Sequence, residues 1–149
     1  MADIYLTVAE IYQMQHFLID SFGGLHGARD QNAVEAAVFR PRTGYYNSIE
    51  EEAAALMESL ANNRGFIDGN KRIAFAAAAT LLEINGFLLE VDPLEGYEFI
   101  HGSLDRHEFR FPEIVDWTRR QTKPLRESAD PELQDLRRSL NGAAFFARL

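Results

Sequence analysis

The sequence predicts a mainly α-helical bundle packed around one central buried helix. Apolar residues recur at three- and four-residue spacing along most of the 149-residue chain, and two of those runs open with a Ser/Thr-x-x-Glu capping box. A third run, Ile73 to Leu82, is apolar on nearly every side, the pattern of a helix enclosed by others. Extended chain is expected between Pro41 and Ser48, with a shorter run over Phe87 to Val91.

Each element has its own start and stop signals. Thr7 and Glu10 form a capping box, Ile11, Met14, Phe17, Leu18 and Phe22 follow at helical spacing, and Gly23-Gly24 ends the run. A second helix begins after Asp30, carries Val34, Ala37 and Val38, and stops at Arg40 because Pro41 cannot continue it. The aromatic stretch Arg42 to Asn47, with Gly44 inside it, is expected to form a small β-hairpin. Ser48 and Glu51 then cap a helix with Ala53, Leu56, Met57 and Leu60 on one face, and Glu50 to Glu52 suit the positive end of its dipole.

The central helix runs from Asn70 and closes at Asn85-Gly86. Asp92-Pro93 starts a helix through Tyr97, Phe99 and Ile100, and Phe111-Pro112 starts another with Ile114, Val115 and Trp117. These elements make one domain over residues 1–121, followed by a polar link over 122–129. A last helix is expected over 130–149, apolar at Leu133, Leu136 and Leu140, with Arg137 and Arg138 outside. Phe145, Phe146 and Leu149 could pack on the domain, form a dimer or occupy a partner's groove.

Composition narrows the function. With no cysteine, the chain has no disulfides, thiol nucleophiles or thiolate-bound metals. No apolar run approaches the ~20 residues of a membrane span, and the acidic start does not resemble a signal peptide, so a cytoplasmic protein is expected. A net charge of −8 argues against direct binding to duplex DNA, yet it allows a local basic site.

One such site stands out. Ile67-Asp68-Gly69-Asn70 is a short polar loop that leads straight into the apolar helix. A loop feeding a helix N-terminus offers unpaired N–H groups and a positive dipole end, so it attracts phosphate. Lys71 and Arg72 lie in the first turn, where cations oppose the dipole unless an anion is bound. Asp68 adds one carboxylate, and one carboxylate with substrate phosphates commonly holds Mg²⁺. The plainer alternative is a helix capped by Asp68 or Asn70, with Lys71 and Arg72 solvated.

Residues 63–72, together with the Ala-rich helix and Asn85-Gly86-Phe87, resemble the active-site segment of the death-on-curing (Doc) toxins, a branch of the Fic superfamily. The pattern there is His-x-Phe-x-Asp-(Gly or Ala)-Asn-Lys-Arg, which Phe66, Asp68, Gly69, Asn70, Lys71 and Arg72 match in order. Residues 24–30 and Ala36 to Pro41 resemble the approach to the second helix and its Ala-x-x-Arg-Pro ending. The likeness spans roughly residues 4 to 121.

The resemblance implies a Fic fold and a toxin that uses ATP and Mg²⁺ to move a phosphoryl group onto a hydroxyl of a host translation factor. Members ending in Gly-Asn-Gly-Arg usually transfer the nucleotidyl group instead. On matching positions it implies that Asp68 holds Mg²⁺, that Gly69, Asn70 and the helix N-terminus grip phosphate, and that Lys71 and Arg72 neutralise developing charge. Phe66 would pack the loop, and Tyr45 and Tyr46 would lie on a flap that docks the target, with ordinary packing as the alternative. An antitoxin's C-terminal segment is the implied inhibitor. The self-inhibitory pattern Ser/Thr-x-x-x-Glu-Gly/Asn is not matched, because Leu133 follows Ser128 and Glu132.

Arg64 departs from the pattern. The histidine expected there would take the proton of the attacking hydroxyl, whereas an arginine stays protonated and only donates hydrogen bonds. The chain as written is therefore expected to bind nucleotide but turn over poorly. Either the lineage kept a binding role after losing catalysis, or a histidine was replaced through a single-base codon change. His16, His26, His101 and His107 do not fill the gap and are expected to be structural or solvated. His101 and His107 could meet at a metal, but their spacing supplies no third ligand.

Overall fold

The computed structural model describes residues 3–125 and 145–149. Seven helices are arranged in chain order: α1 (Val8–Phe22), α2 (Gln31–Phe39), α3 (Ile49–Asn63), α4 (Asn70–Ile84), α5 (Pro93–Tyr97), α6 (Ser103–Asp105) and α7 (Phe111–Gln121). The first expected capping box forms in full, and the second forms only its Ser48 half, because the Glu51 carboxylate accepts from Asn47 N–H at 2.7 Å instead. The Thr7 hydroxyl accepts from the Glu10 N–H at 3.1 Å while Glu10 accepts from the Thr7 N–H at 3.0 Å. The Ser48 hydroxyl accepts from the Glu51 N–H at 3.2 Å.

The core forms where α3 and α4 pack together. Ala53, Ala54 and Met57 of α3 and Ile73, Ala77, Ala78 and Leu82 of α4 are fully sequestered, and their small side chains bring the two backbones close. α4 is buried at seven positions and α3 at ten, so the bundle has two inner helices rather than one. The Glu50 to Glu52 run masks α3 in the sequence, although Glu52 itself is buried with its carboxylate on the Tyr5 hydroxyl at 2.9 Å.

The hairpin expected between Pro41 and Ser48 does not form. Arg40–Arg42 makes a 3₁₀ turn that Pro41 favours, and Arg40 then holds the following segment by its side chain. Its guanidinium donates to Tyr46 Oη at 2.7 Å, Glu58 at 2.7 Å and Ser59 Oγ at 2.8 Å. With Tyr46 anchored in this way, no second strand can run back alongside. The two-stranded antiparallel sheet lies elsewhere, between β1 (Phe87–Leu89) and β2 (Thr122–Pro124). The polar link therefore begins as a strand: Leu89 pairs with Thr122 and Phe87 with Pro124.

The expected final helix falls largely outside the described residues, and Ser128 and Glu132 with it. Phe145 is buried against Phe75, ring centroids 4.6 Å apart, and Phe146 lies 5.8 Å from Phe22. Gly96 makes room for this contact, because a Cβ there would stand 3.0 Å from the Phe145 ring.

Candidate active site

The loop between α3 and α4 is tied down at almost every residue. Gly65 O accepts from the N–H groups of Arg29 and Asp30 at 2.7 and 3.0 Å, and Ile67 N–H donates to Gly27 O at 3.0 Å. Gly65 presses against α2 so closely that a Cβ would stand 2.6 Å from Val34 Cγ2. Phe66 is buried with its ring edge-on to Tyr12 at 5.3 Å, the packing role expected of it. The Asn70 amide is committed to the same residue, accepting from Phe66 N–H at 3.1 Å and donating to Phe66 O at 3.0 Å. Asn70 thus braces the loop with its side chain, and only its main chain is left to face a ligand.

Neither Asp68 nor Asn70 caps α4. Gly69 is the N-cap, at φ +75°, and among the described residues no side chain accepts from the first-turn N–H groups. The Asp68 carboxylate turns the other way, with Oδ2 accepting from Leu25 N–H at 2.7 Å, while Asp68 O accepts from the buried Gln15 at 3.3 Å. The helix start is thus left with unmet donors facing a cavity, the condition that favours an anion.

That cavity is about 1040 Å³, and among the described residues its wall includes Arg29, Arg64, Lys71, Arg72 and Arg110 with the acidic Asp68 and Asp105. Arg29, Arg64, Lys71 and Arg110 have no ion-pair or side-chain hydrogen-bond partner among the described residues. Asp105 is already paired, to His101 at 3.2 Å. Arg72 is held differently: Nε donates to Phe146 O at 2.9 Å, Nη1 donates to Gly23 O at 2.8 Å, and the guanidinium lies over the Phe22 ring. Local positive charge in a chain of net charge −8 focuses the field on this opening.

Arg64 ends α3 in the left-handed region, at φ 50° and ψ 47°, and its exposed side chain lines the cavity. The structure brings Arg64, Asp68, Gly69, Asn70, Lys71 and Arg72 to one opening. It does not bring Tyr45 or Tyr46 to the wall. Tyr45 is 81% exposed, and Tyr46 packs on Phe111 at 5.3 Å. Arg29, Arg110 and His107, which were not among the expected site residues, also line the opening. Arg29 stands inside the Gly24–Asp30 stretch already noted, so its position was the available clue. Arg110 and His107 carry no local motif. His101 and His107 do not converge as metal ligands, since His101 pairs with Asp105 and stacks on Tyr97.

Comparison with known proteins agrees with this geometry. Residues 5–82 match the Fic/DOC family. Toxin Doc of Mycolicibacterium smegmatis is 46% identical over 77 residues, a stretch covering 48% of this chain and 59% of that protein. The chain thus matches somewhat more than half the length of this curated relative. The braced loop, the uncapped start of the helix it feeds and the Gly24–Asp30 stretch that holds it all lie within the matched span, and this chain belongs to the Fic/Doc family.

Proposed function

We propose that the cavity binds the phosphates of ATP and that the chain is a Doc-like toxin, a protein phosphotransferase acting on a hydroxyl of a host translation factor and held in check by an antitoxin segment. The observation that carries it is the uncapped α4 N-terminus beside four cations that have no side-chain partner among the described residues. Such a site accepts a polyanion with little reorganisation, because its donors are already fixed by the loop.

The chain's own residues divide the work. First-turn N–H groups and Lys71 hold the terminal phosphates, and Arg72, anchored by Gly23 O and Phe146 O, adds fixed positive charge. Arg29 and Arg110 flank the entry. Asp68 offers one carboxylate oxygen beyond the Leu25 bond, too few ligands to retain Mg²⁺ alone but sufficient with substrate phosphates and water. When bound there, Mg²⁺ would neutralise phosphate charge. Arg64 stands where the attacking hydroxyl's proton would be taken and cannot take it, so binding persists while transfer is slow.

Arg64→His is expected to restore growth inhibition and labelling of one host protein from ATP, and Lys71→Ala in that background to abolish both. Label carried on the γ phosphate should reach the target, and label on the α phosphate should not. The opposite isotope result would mean nucleotidyl transfer, as in a Fic-type AMPylation enzyme. Intact nucleotide binding with an inert Arg64→His protein would instead favour a non-catalytic nucleotide- or antitoxin-binding module.

A further inference from the structure

We propose that His16, Asp20 and His26 form a divalent transition-metal site of the zinc class at the end of α1, separate from the nucleotide cavity. His16 and Asp20 are four residues apart on α1, so they share a face. Gly23, Gly24 and Gly27 all have positive φ, and this turns the intervening chain back so that His26 returns to the same face. The outcome is convergent: His26 Nε2 lies 2.8 Å from Asp20 Oδ1, and His16 Nε2 lies 3.3 Å from Asp20 Oδ2. The two imidazoles stack with centroids 4.1 Å apart, and one donor atom from each of the three residues lies within 4.8 Å of the others.

Two imidazoles and a carboxylate make a donor set that suits Zn²⁺ and leaves a position for water. Bonds of about 2.0–2.1 Å at tetrahedral angles put neighbouring donors about 3.3 Å apart, the spacing His16 and Asp20 already have. His26 Nε2 faces the other carboxylate oxygen at 2.8 Å, so an ion held by both rings and one oxygen requires the carboxylate or His26 to turn. A single imidazole–carboxylate hydrogen bond would be enough to anchor the turn. A second imidazole nitrogen facing the carboxylate's other oxygen, from a ring stacked on the first, adds the donor that a chelate needs. All three side chains are exposed, so an ion can reach them.

The site is linked to the motif loop through its neighbours. Leu25 N–H holds the Asp68 carboxylate and Gly27 O holds Ile67 N–H, so an ion gripping His26 tethers the segment on which that loop rests.

The test is titration of the full chain, free of any histidine tag, with ZnCl₂ by calorimetry, with Co²⁺ absorption to report tetrahedral coordination. Saturable 1:1 binding is expected, weakened at least about tenfold by His16→Ala, His26→Ala or Asp20→Asn, and unaffected by His101→Ala. Zn²⁺ should also slow hydrogen exchange at Leu25 and Ile67. The absence of 1:1 binding, or binding unchanged in the His16→Ala/His26→Ala double variant with its circular dichroism intact, would overturn the site. Unchanged exchange on saturation would overturn its link to the loop.

Discussion

Arg64 occupies a backbone conformation that suits other residues better. The left-handed region is several-fold enriched in Asn, Asp and His, and an exposed arginine there gains nothing from its length. Arg64→His should therefore leave thermal stability within about 0.5 kcal/mol while weakening ATP affinity modestly, because one cavity charge is lost. Calorimetry on the two proteins measures both effects, and a large loss of stability would mean Arg64 has a structural role. Gly65 allows no such freedom. Gly65→Ala should cost about 1–3 kcal/mol in chemical denaturation, since Val34 presents backbone as well as methyl to any Cβ. The sequence made the loop that feeds α4 legible because Asp68 to Arg72 are contiguous. It hid the commitment of Asn70 to Phe66, because a side-chain amide can brace a loop or grip a ligand with the same atoms.

At the scale of elements, helices were legible where capping and apolar period agreed, as in α1 and α3, or where Pro opened the first turn, as in α7. The 41–48 segment was not, because β-propensity measures fit to a sheet surface and here Arg40 supplies a different partner. β2 was equally hidden: Thr122-Lys123-Pro124 has no strand pattern and pairs only because β1 leaves an edge beside the end of α7. Close packing of α3 on α4 predicts that Ala78→Leu, at a position with no exposure, costs about 1–3 kcal/mol by overpacking. α3 also carries a pH dependence. Burial first, then a hydrogen bond with the Asp3 carboxyl, push Glu52 up from the usual 4.5 to about 7, against the Tyr5 bond that lowers it. Burial and the same carboxylate push Tyr5 up to about 12. A carboxyl raised on folding holds its proton more tightly in the native state, so its contribution is complete below the ordinary range and fades as pH rises through about 7. Melting curves between about pH 5 and about pH 8 should show a steeper fall for the natural chain than for Glu52→Gln. Parallel slopes would contradict this.

Across the whole molecule, a net charge of −8 and a cationic opening are complementary features. The acidic exterior disfavours nucleic acid while the unpaired cations draw small polyanions inward, so ATP affinity should fall steadily with ionic strength. An affinity insensitive to salt would mean that base or sugar contacts dominate. No helix among the described residues is long and apolar enough to cross a membrane. The fold class was legible from periodicity. The cavity's full complement was not, because Arg29 and Arg110 come from separate elements that meet only once α2 and α7 pack on α3.

In the proposed phosphotransferase the binding half is intact and the proton acceptor is missing. The decisive measurement is the rate of γ-phosphoryl transfer to the host target at saturating ATP, compared between Arg64→His and the unsubstituted chain. A rise of about 10²–10⁴-fold, the usual contribution of a positioned general base, is the predicted result. Equal rates in the two proteins would contradict it.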